Sequence, residues 1–394
     1  MSDLRLPGAD GTLTSYVLGA PGSWTKPTAP ITSRIAYAAA HVVPDALADN
    51  TPGAPAVIDW DTTLAFRHEL WSWGLGVADA MDTAQRGMGL DWSAAQELIK
   101  RSAAEAASVG GAIACGAGTD QLDPHTLTPG RRGLQQVLDA YREQVATIVG
   151  TGAQVIVMAS RALASTARSV EDYVTVYDAL LSEVEQPVIL HWLGPMFDPA
   201  LAGYWGSADV TAATATFLQL IGDHPGKVDG VKVSLLDAGH ETALRADLAA
   251  LPGTVRMYTG DDFNYPELID GDADHHSDAL LGIFAAIYPA ASTALQAYDA
   301  GEPSRGREIL ESTRALGRHL FSAPTYYYKT GVAFLSWLNG RQAGFSMVGG
   351  LQAGRSVPHL VHTFRLADRA GLLLDPPLAA DRMRRLLAVH GIER

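Results

Sequence analysis

Residues 228–237 read VDGVKVSLLD, and the lysine at their centre decides how the rest of the chain is read. Apolar residues and a glycine flank Lys232 on both sides, the pattern of a parallel strand covered on both faces. An ammonium loses hydration in such a place. That favours the neutral amine, and a neutral amine is what attacks a carbonyl to form a Schiff base. Usage elsewhere sharpens the point: the chain has 24 arginines and only five lysines (Lys26, Lys100, Lys227, Lys232 and Lys329). Positive charge is normally met here with arginine, which cannot do amine chemistry. The plainer reading of Lys232 is a side chain that snorkels to solvent or pairs with a carboxylate.

Working outward, the same unit recurs: an apolar strand, a polar or glycine-containing loop, an amphipathic helix. Strands are expected at 34–43, 76–81, 111–115, 154–158, 187–191, 228–233, 255–259 and 279–283, which puts Lys232 on the sixth. Helices are expected between them at about 59–73, 93–107, 132–149, 169–184, 209–221 and 240–250. A capping box of Ser93 and Gln96 opens the second. Eight such repeats over residues 34–300 predict a (β/α)8 TIM barrel. An open, doubly wound sheet ranks second because no glycine-rich phosphate loop follows the first strand. Residues 1–33 read as an N-terminal arm or short hairpin. Residues 301–394 lack strand signals and read as a C-terminal helical extension. Its Tyr326–Tyr328 and Trp337 cluster reads as helical core, with a cover over the barrel or a subunit contact as the other readings.

With 394 residues, 47% of them hydrophobic, the chain can bury a large core. Its net charge of −14 argues against nucleic acid or an anionic membrane as partner and makes a small molecule the default ligand. The single cysteine, Cys115, excludes an intramolecular disulfide and a cysteine-based zinc cluster, and fits a cytoplasmic protein. The N-terminal MSDLRLPGADGTL has neither the basic nor the apolar stretch of a signal peptide, and no apolar run approaches a membrane span.

Catalytic groups of such barrels project from the carboxyl ends of the strands. That rule gathers Asp82 and Thr83 after the second strand, Ser160 and Arg161 after the fourth, His191 ending the fifth, and Asp261 and Asp262 after the seventh. His191 suits proton transfer. Arg161 suits a carboxylate or phosphate. Asp261 and Asp262 are read as contacts to substrate hydroxyls, a turn or helix cap being the equal alternative. The loop DGDADHHSD (270–278) offers Asp272, Asp274, His275, His276 and Asp278 as hard or imidazole ligands, although no His-x-His or His-Glu-x-x-His spacing occurs.

Taken together, these motifs resemble the dihydrodipicolinate synthase / N-acetylneuraminate lyase family of class I aldolase-type lyases. QPVILHW (186–192) looks like that family's fifth-strand PVILYN, VDGVKVSLLD like its Schiff-base strand GIKdssgD, and YTGDD (258–262) like its sGDD. The resemblance implies a barrel, an imine between Lys232 and a keto acid or hydroxylated carbonyl compound, no cofactor and no metal, and a dimer or tetramer. The departures are specific. His191 stands where the family has a proton-relaying tyrosine. Residues 82–87, DTAQRG, match the family's GTTGE carboxylate loop only loosely, leaving Thr83 and Arg86 to hold an anionic group. Ser160–Arg161 replace the tyrosines typical after the fourth strand. These changes point to a divergent branch with its own substrate. Two rival readings stand beside it: a metal-dependent barrel lyase or isomerase using His191, His240 and the His275/His276 loop, and a non-catalytic barrel that binds a sugar or an acid.

Overall fold

In the computed structural model, which describes residues 4–8, 10–81 and 86–392, eight short parallel strands close on themselves. A hairpin of β1 (Leu4–Pro7) and β2 (Leu13–Tyr16) comes first. The barrel strands follow: β3 (Ala36–Ala39), β4 (Gly76–Asp79), β5 (Ile113–Ala117), β6 (Gln154–Met158), β7 (Val188–Leu193), β8 (Val228–Ser234), β9 (Arg256–Thr259) and β10 (Asp278–Leu281). Neighbours in sequence pair in parallel all the way round, and β10 closes onto β3. The helices that cover them are α1 (Trp60–Ser72), α2 (Trp92–Val109), α3 (Arg131–Val149), α4 (Arg161–Thr166), α5 (Val170–Glu183), α6 (Val210–Asp223), α7 (Ala238–Ala249), α8 (Tyr265–Asp270) and α9 (Phe284–Asp299). Four more follow: α10 (Pro303–Leu320), α11 (Tyr328–Leu338), α12 (Val357–Arg369) and α13 (Pro376–Val389). The chain is therefore a (β/α)8 TIM barrel with C-terminal helices.

Strand alternation divides the apolar residues between two cores. Ala39, Ala78, Ala114, Ile156, Met158, Ile189, Tyr258 and Leu280 fill the barrel. Residues one step away, such as Val77, Cys115, Val157, Leu190, Val231 and Leu281, face the surrounding helices. Strand ends differ from expectation by at most four residues, and β6 has the expected bounds. One cap differs in kind: Asp91, not Ser93, opens α2, its carboxylate accepting from the Ala94 N–H at 2.8 Å. Ser93 already lies inside the first turn, so the expected capping box does not form.

The hairpin and the terminal helices are tied together. Leu4 and Leu6 are buried, and the Tyr16 hydroxyl and Gly19 N–H both donate to Asp368 on α12. The aromatic cluster of the extension does more than fill a helical core. Tyr328 stacks on Phe321 with ring centroids 4.1 Å apart, and its ring lies against Gly282 at the carboxyl end of β10. A Cβ on Gly282 would come within 2.6 Å of that ring, so the glycine is what lets α11 roof the barrel mouth.

Candidate active site

The site begins with β8. Val231 and Val233 point to the helices, which turns Gly230, Lys232 and Ser234 into the barrel. Lys232 is 7% exposed. In the β7–β8 ladder it is the register partner of His191, which is 1% exposed and whose Nε2 lies 3.2 Å from the Ser234 hydroxyl. Room for the lysine comes from Gly260, just past β9. A Cβ there would stand 3.0 Å from Lys232 Cε and 2.6 Å from the Val233 carbonyl oxygen, and would collide with the Ser234 hydroxyl.

Two further groups share this end of the barrel. Asp262, two residues on, accepts the Ile283 N–H at 2.7 Å where β10 gives way to α9. Burial raises its carboxyl to about 7, opposed by that N–H and by the charges of Lys232 and Lys329. Lys329, on α11, is 2% exposed and donates to the carbonyl of Ala39, the last residue of β3. Burial, joined by the like charge of Lys232 and opposed by Asp262, lowers its ammonium to about 7. Around the rim, β8, β9, β10 and β3 are consecutive, so Lys232, Asp262 and Lys329 occupy one arc.

Beside that arc, a cleft of about 280 Å³ opens over the carboxyl ends of β5, β6 and β7. Met158, the register partner of His191, and Leu193, two residues beyond it, line the cleft, whereas His191 and Lys232 themselves do not. Arg161 also lines it. The Nε of Arg161 is held by Asp198, while its terminal amino groups make no hydrogen bond among the described residues and its side chain is 44% exposed. Ser160 fixes this arginine at the first position of α4 by accepting the Leu163 N–H at 2.8 Å.

The other expected contacts fare differently. Asp82 and Thr83 lie outside the described residues. Arg86 is buried with its five N–H groups engaged: Nε and Nη2 on Asp120, Nη1 on the Ala80 and Gly116 carbonyls, and Nη2 also on Gln144. It therefore orders the loops rather than presenting a donor to a substrate anion. Asp261 caps its own turn, accepting from the N–H groups of Phe263 and Asn264 and from the Asn264 side chain, so a hydroxyl-binding role is replaced by the cap.

The metal reading fails on position. His191 is inside the barrel, whereas His240 lies behind the wall, packed on Trp192 and bonded to Thr214. His275 and His276 sit in the loop that enters β10, at the opposite end. Burial and the charges of Arg34, Arg245 and Arg256 lower His276 to about 4, and those cations disfavour a metal ion. Asp272 is committed to the Asp274 and His275 N–H groups and to Arg245. Among the described residues no cluster of three His, Cys, Asp or Glu could hold a metal.

A family model described as "Protein of unknown function (DUF993)" matches residues 4–392. The chain belongs to that family. No curated protein matches this DUF993 chain. Among solved structures, it is similar in fold to a monomeric dihydrodipicolinate synthase variant, with 14% identity and a TM-score of 0.61 over 88% of this chain and 100% of that one. It is also similar to YagE, a prophage protein of the dihydrodipicolinic acid synthase family from E. coli K12 in complex with pyruvate, with 12% identity and a TM-score of 0.64 over 86% and 99%. The dihydrodipicolinate synthase of Acinetobacter baumannii complexed with pyruvate gives 16% and 0.59 over 86% and 100%. At these identities the likeness is one of fold. Among the described residues of this DUF993 chain, no helix is long and apolar enough to cross a membrane.

Sequence reading missed Lys329. The signal was available, since it is one of five lysines and sits in a helix otherwise rich in apolar residues, but nothing local tied α11 to the barrel mouth.

Proposed function

We propose that this protein is a Schiff-base-forming class I lyase, an aldolase or a dehydratase, acting on a keto acid or a hydroxylated carbonyl compound. The observation that carries the reading is the placement of Lys232 inside the barrel, at the carboxyl end of β8, in register with His191. The Lys232 amine adds to the carbonyl carbon and the carbinolamine loses water; the resulting iminium accepts the electron pair of the C–C bond that cleaves, or of the C–H bond whose proton leaves, the enamine of the second case then expelling hydroxide, which is protonated to water. His191 carries the proton between nitrogen, oxygen and carbon during these steps. Arg161, with its unengaged amino groups facing the cleft, receives the anionic end of the substrate. Pyruvate, bound by two of the fold relatives, is the first compound to test. The same reading carries a cytoplasmic dimer or tetramer, which sedimentation of the purified chain would measure.

The test is borohydride reduction in the presence of pyruvate, other keto acids and sugar-derived aldehydes, followed by peptide mapping. A reduced adduct on the peptide that contains Lys232 is the expected result. Absence of that adduct with every carbonyl compound, in a preparation that turns one of them over, overturns the imine mechanism.

A further inference from the structure

We propose that the cleft takes an acid whose carboxylate is held by Arg161 and which carries an apolar group of about the size of a benzene ring, received in a second chamber that the C-terminal segment helps to build. On the Schiff-base reading above, in which Arg161 receives the anionic end of the substrate, that apolar group is part of the substrate. The second chamber, of about 240 Å³, shares Arg161, Leu193 and Asp198 with the first. The two differ in character. In the first, the Thr119 and Ser160 hydroxyls bond each other at 2.6 Å, and Asp120 is held by Arg86. The remaining walls of the second are the side chains of Met88, Phe197, Pro199 and Tyr326. On the order of 150 Å³ of apolar cavity is enough for benzene, so an aryl group fits.

These walls are held by the C-terminal segment. Phe197 is 4% exposed and stands edge-on to Phe321 and Tyr328 of the roof, with ring centroids 6.3 and 6.5 Å apart. The loop of Met88 meets the residues before α12 backbone to backbone, since a Cβ on Gly89 would come 3.1 Å from the Gly349 nitrogen. Tyr326 itself lies in the turn that leads into α11. The guanidinium alone would hold an acid poorly. Its Nε is engaged by Asp198, whose other carboxylate oxygen accepts the Ala200 N–H at 3.1 Å, and the arginine side chain is 44% exposed. A bare carboxylate on a cation already paired and open to water gains little. Removing an apolar group from water against four side chains supplies the larger share of the affinity, and the guanidinium sets its orientation.

The experiment is a ligand-observed NMR titration of the whole chain with acetate, phenylacetate and phenylacetamide, none of which carries an aldehyde or ketone, so the site is read without imine chemistry. Phenylacetate should bind about tenfold or more tighter than either of the others. Arg161→Met should weaken phenylacetate by about tenfold. Tyr326→Ala should weaken phenylacetate by about threefold or more and leave acetate unchanged, and Met88→Ala should do the same if Tyr326→Ala fails to fold. Equal affinity for acetate and phenylacetate overturns the proposal, as does phenylacetate binding that neither the arginine variant nor the chamber variant alters. Borohydride should then trap phenylpyruvate on Lys232 faster than pyruvate at equal concentration, and a rate no faster than that of pyruvate overturns the assignment of the chamber to the substrate. Phenylacetate binding with the expected response to both variants, and no adduct from either keto acid, supports the site and counts against the imine reaction alone.

Discussion

His191 and Lys232 stand opposite one another in the β7–β8 ladder, and the imidazole of His191 bonds Ser234, two residues further along the lysine's own strand. The two side chains are thus fixed by adjacent strands rather than by loops, and their separation is a property of sheet register.

That arrangement gives His191 a part in imine formation and in proton transfer at carbon. In His191→Asn the adduct on Lys232 should form more slowly but still be trapped. Exchange of the pyruvate methyl protons into deuterium oxide, followed by NMR, should slow by about 10²–10⁴-fold. Unchanged exchange would remove His191 from the proton path.

Gly260 makes the space that Lys232 occupies. Gly260→Ala puts a carbon 2.6 Å from a backbone carbonyl that cannot move aside. The variant should lose about 1–3 kcal/mol of stability in urea denaturation and should trap carbonyl compounds more slowly at Lys232 than the wild type does. Alanine tolerated with full trapping would show that the lysine does not take the path seen here.

The Arg67–Asp79 pair is fully buried, joining α1 to β4 just below the mouth, and Arg67 also donates to the His41 and Thr63 carbonyls. Arg67→Met leaves the Asp79 carboxylate buried without its cation, and should cost about 3–5 kcal/mol in equilibrium unfolding.

Glu241 on α7 gives a pH signature distinct from the site. Burial raises its carboxyl from 4.5 to about 8, partly opposed by the hydroxyls of Ser277 and Thr259. The folded chain therefore holds a proton that the unfolded chain releases. The contribution to stability is complete below about pH 4.5 and is lost as pH rises through about 8. Glu241→Gln does not titrate, so its Tm relative to wild type should climb between those limits and level off above them. A flat difference across that range would mean that Glu241 is ionised in the folded chain.

Much of the barrel was legible because its signal is local. Gln154–Met158 appears as a strand exactly where an apolar run meets a glycine turn, and the other barrel strands fall within a few residues of their expected places. Lys232 was legible for the same reason: a cationic residue inside such a run stands out. The fates of Arg86, Asp261 and the His275/His276 loop were not legible. Whether an arginine is offered to a ligand depends on which carbonyls and carboxylates consume its N–H groups, and those lie on β5, α3 and the Gly118–Asp120 loop. Whether two histidines can meet depends on which end of the barrel their loop occupies.

By itself the sequence determined the repeating strand and helix pattern, and with it the barrel and a buried lysine in the sixth strand, because strand and helix periods are set by neighbours a few residues apart. Only the tertiary structure decided what surrounds that lysine. It set His191 in register with it, cleared the space at Gly260, put Asp262 at the same end of the barrel, and brought Lys329 in from the C-terminal helices. These are contacts across the closed sheet and its roof, fixed by packing of the whole chain rather than by any stretch of it.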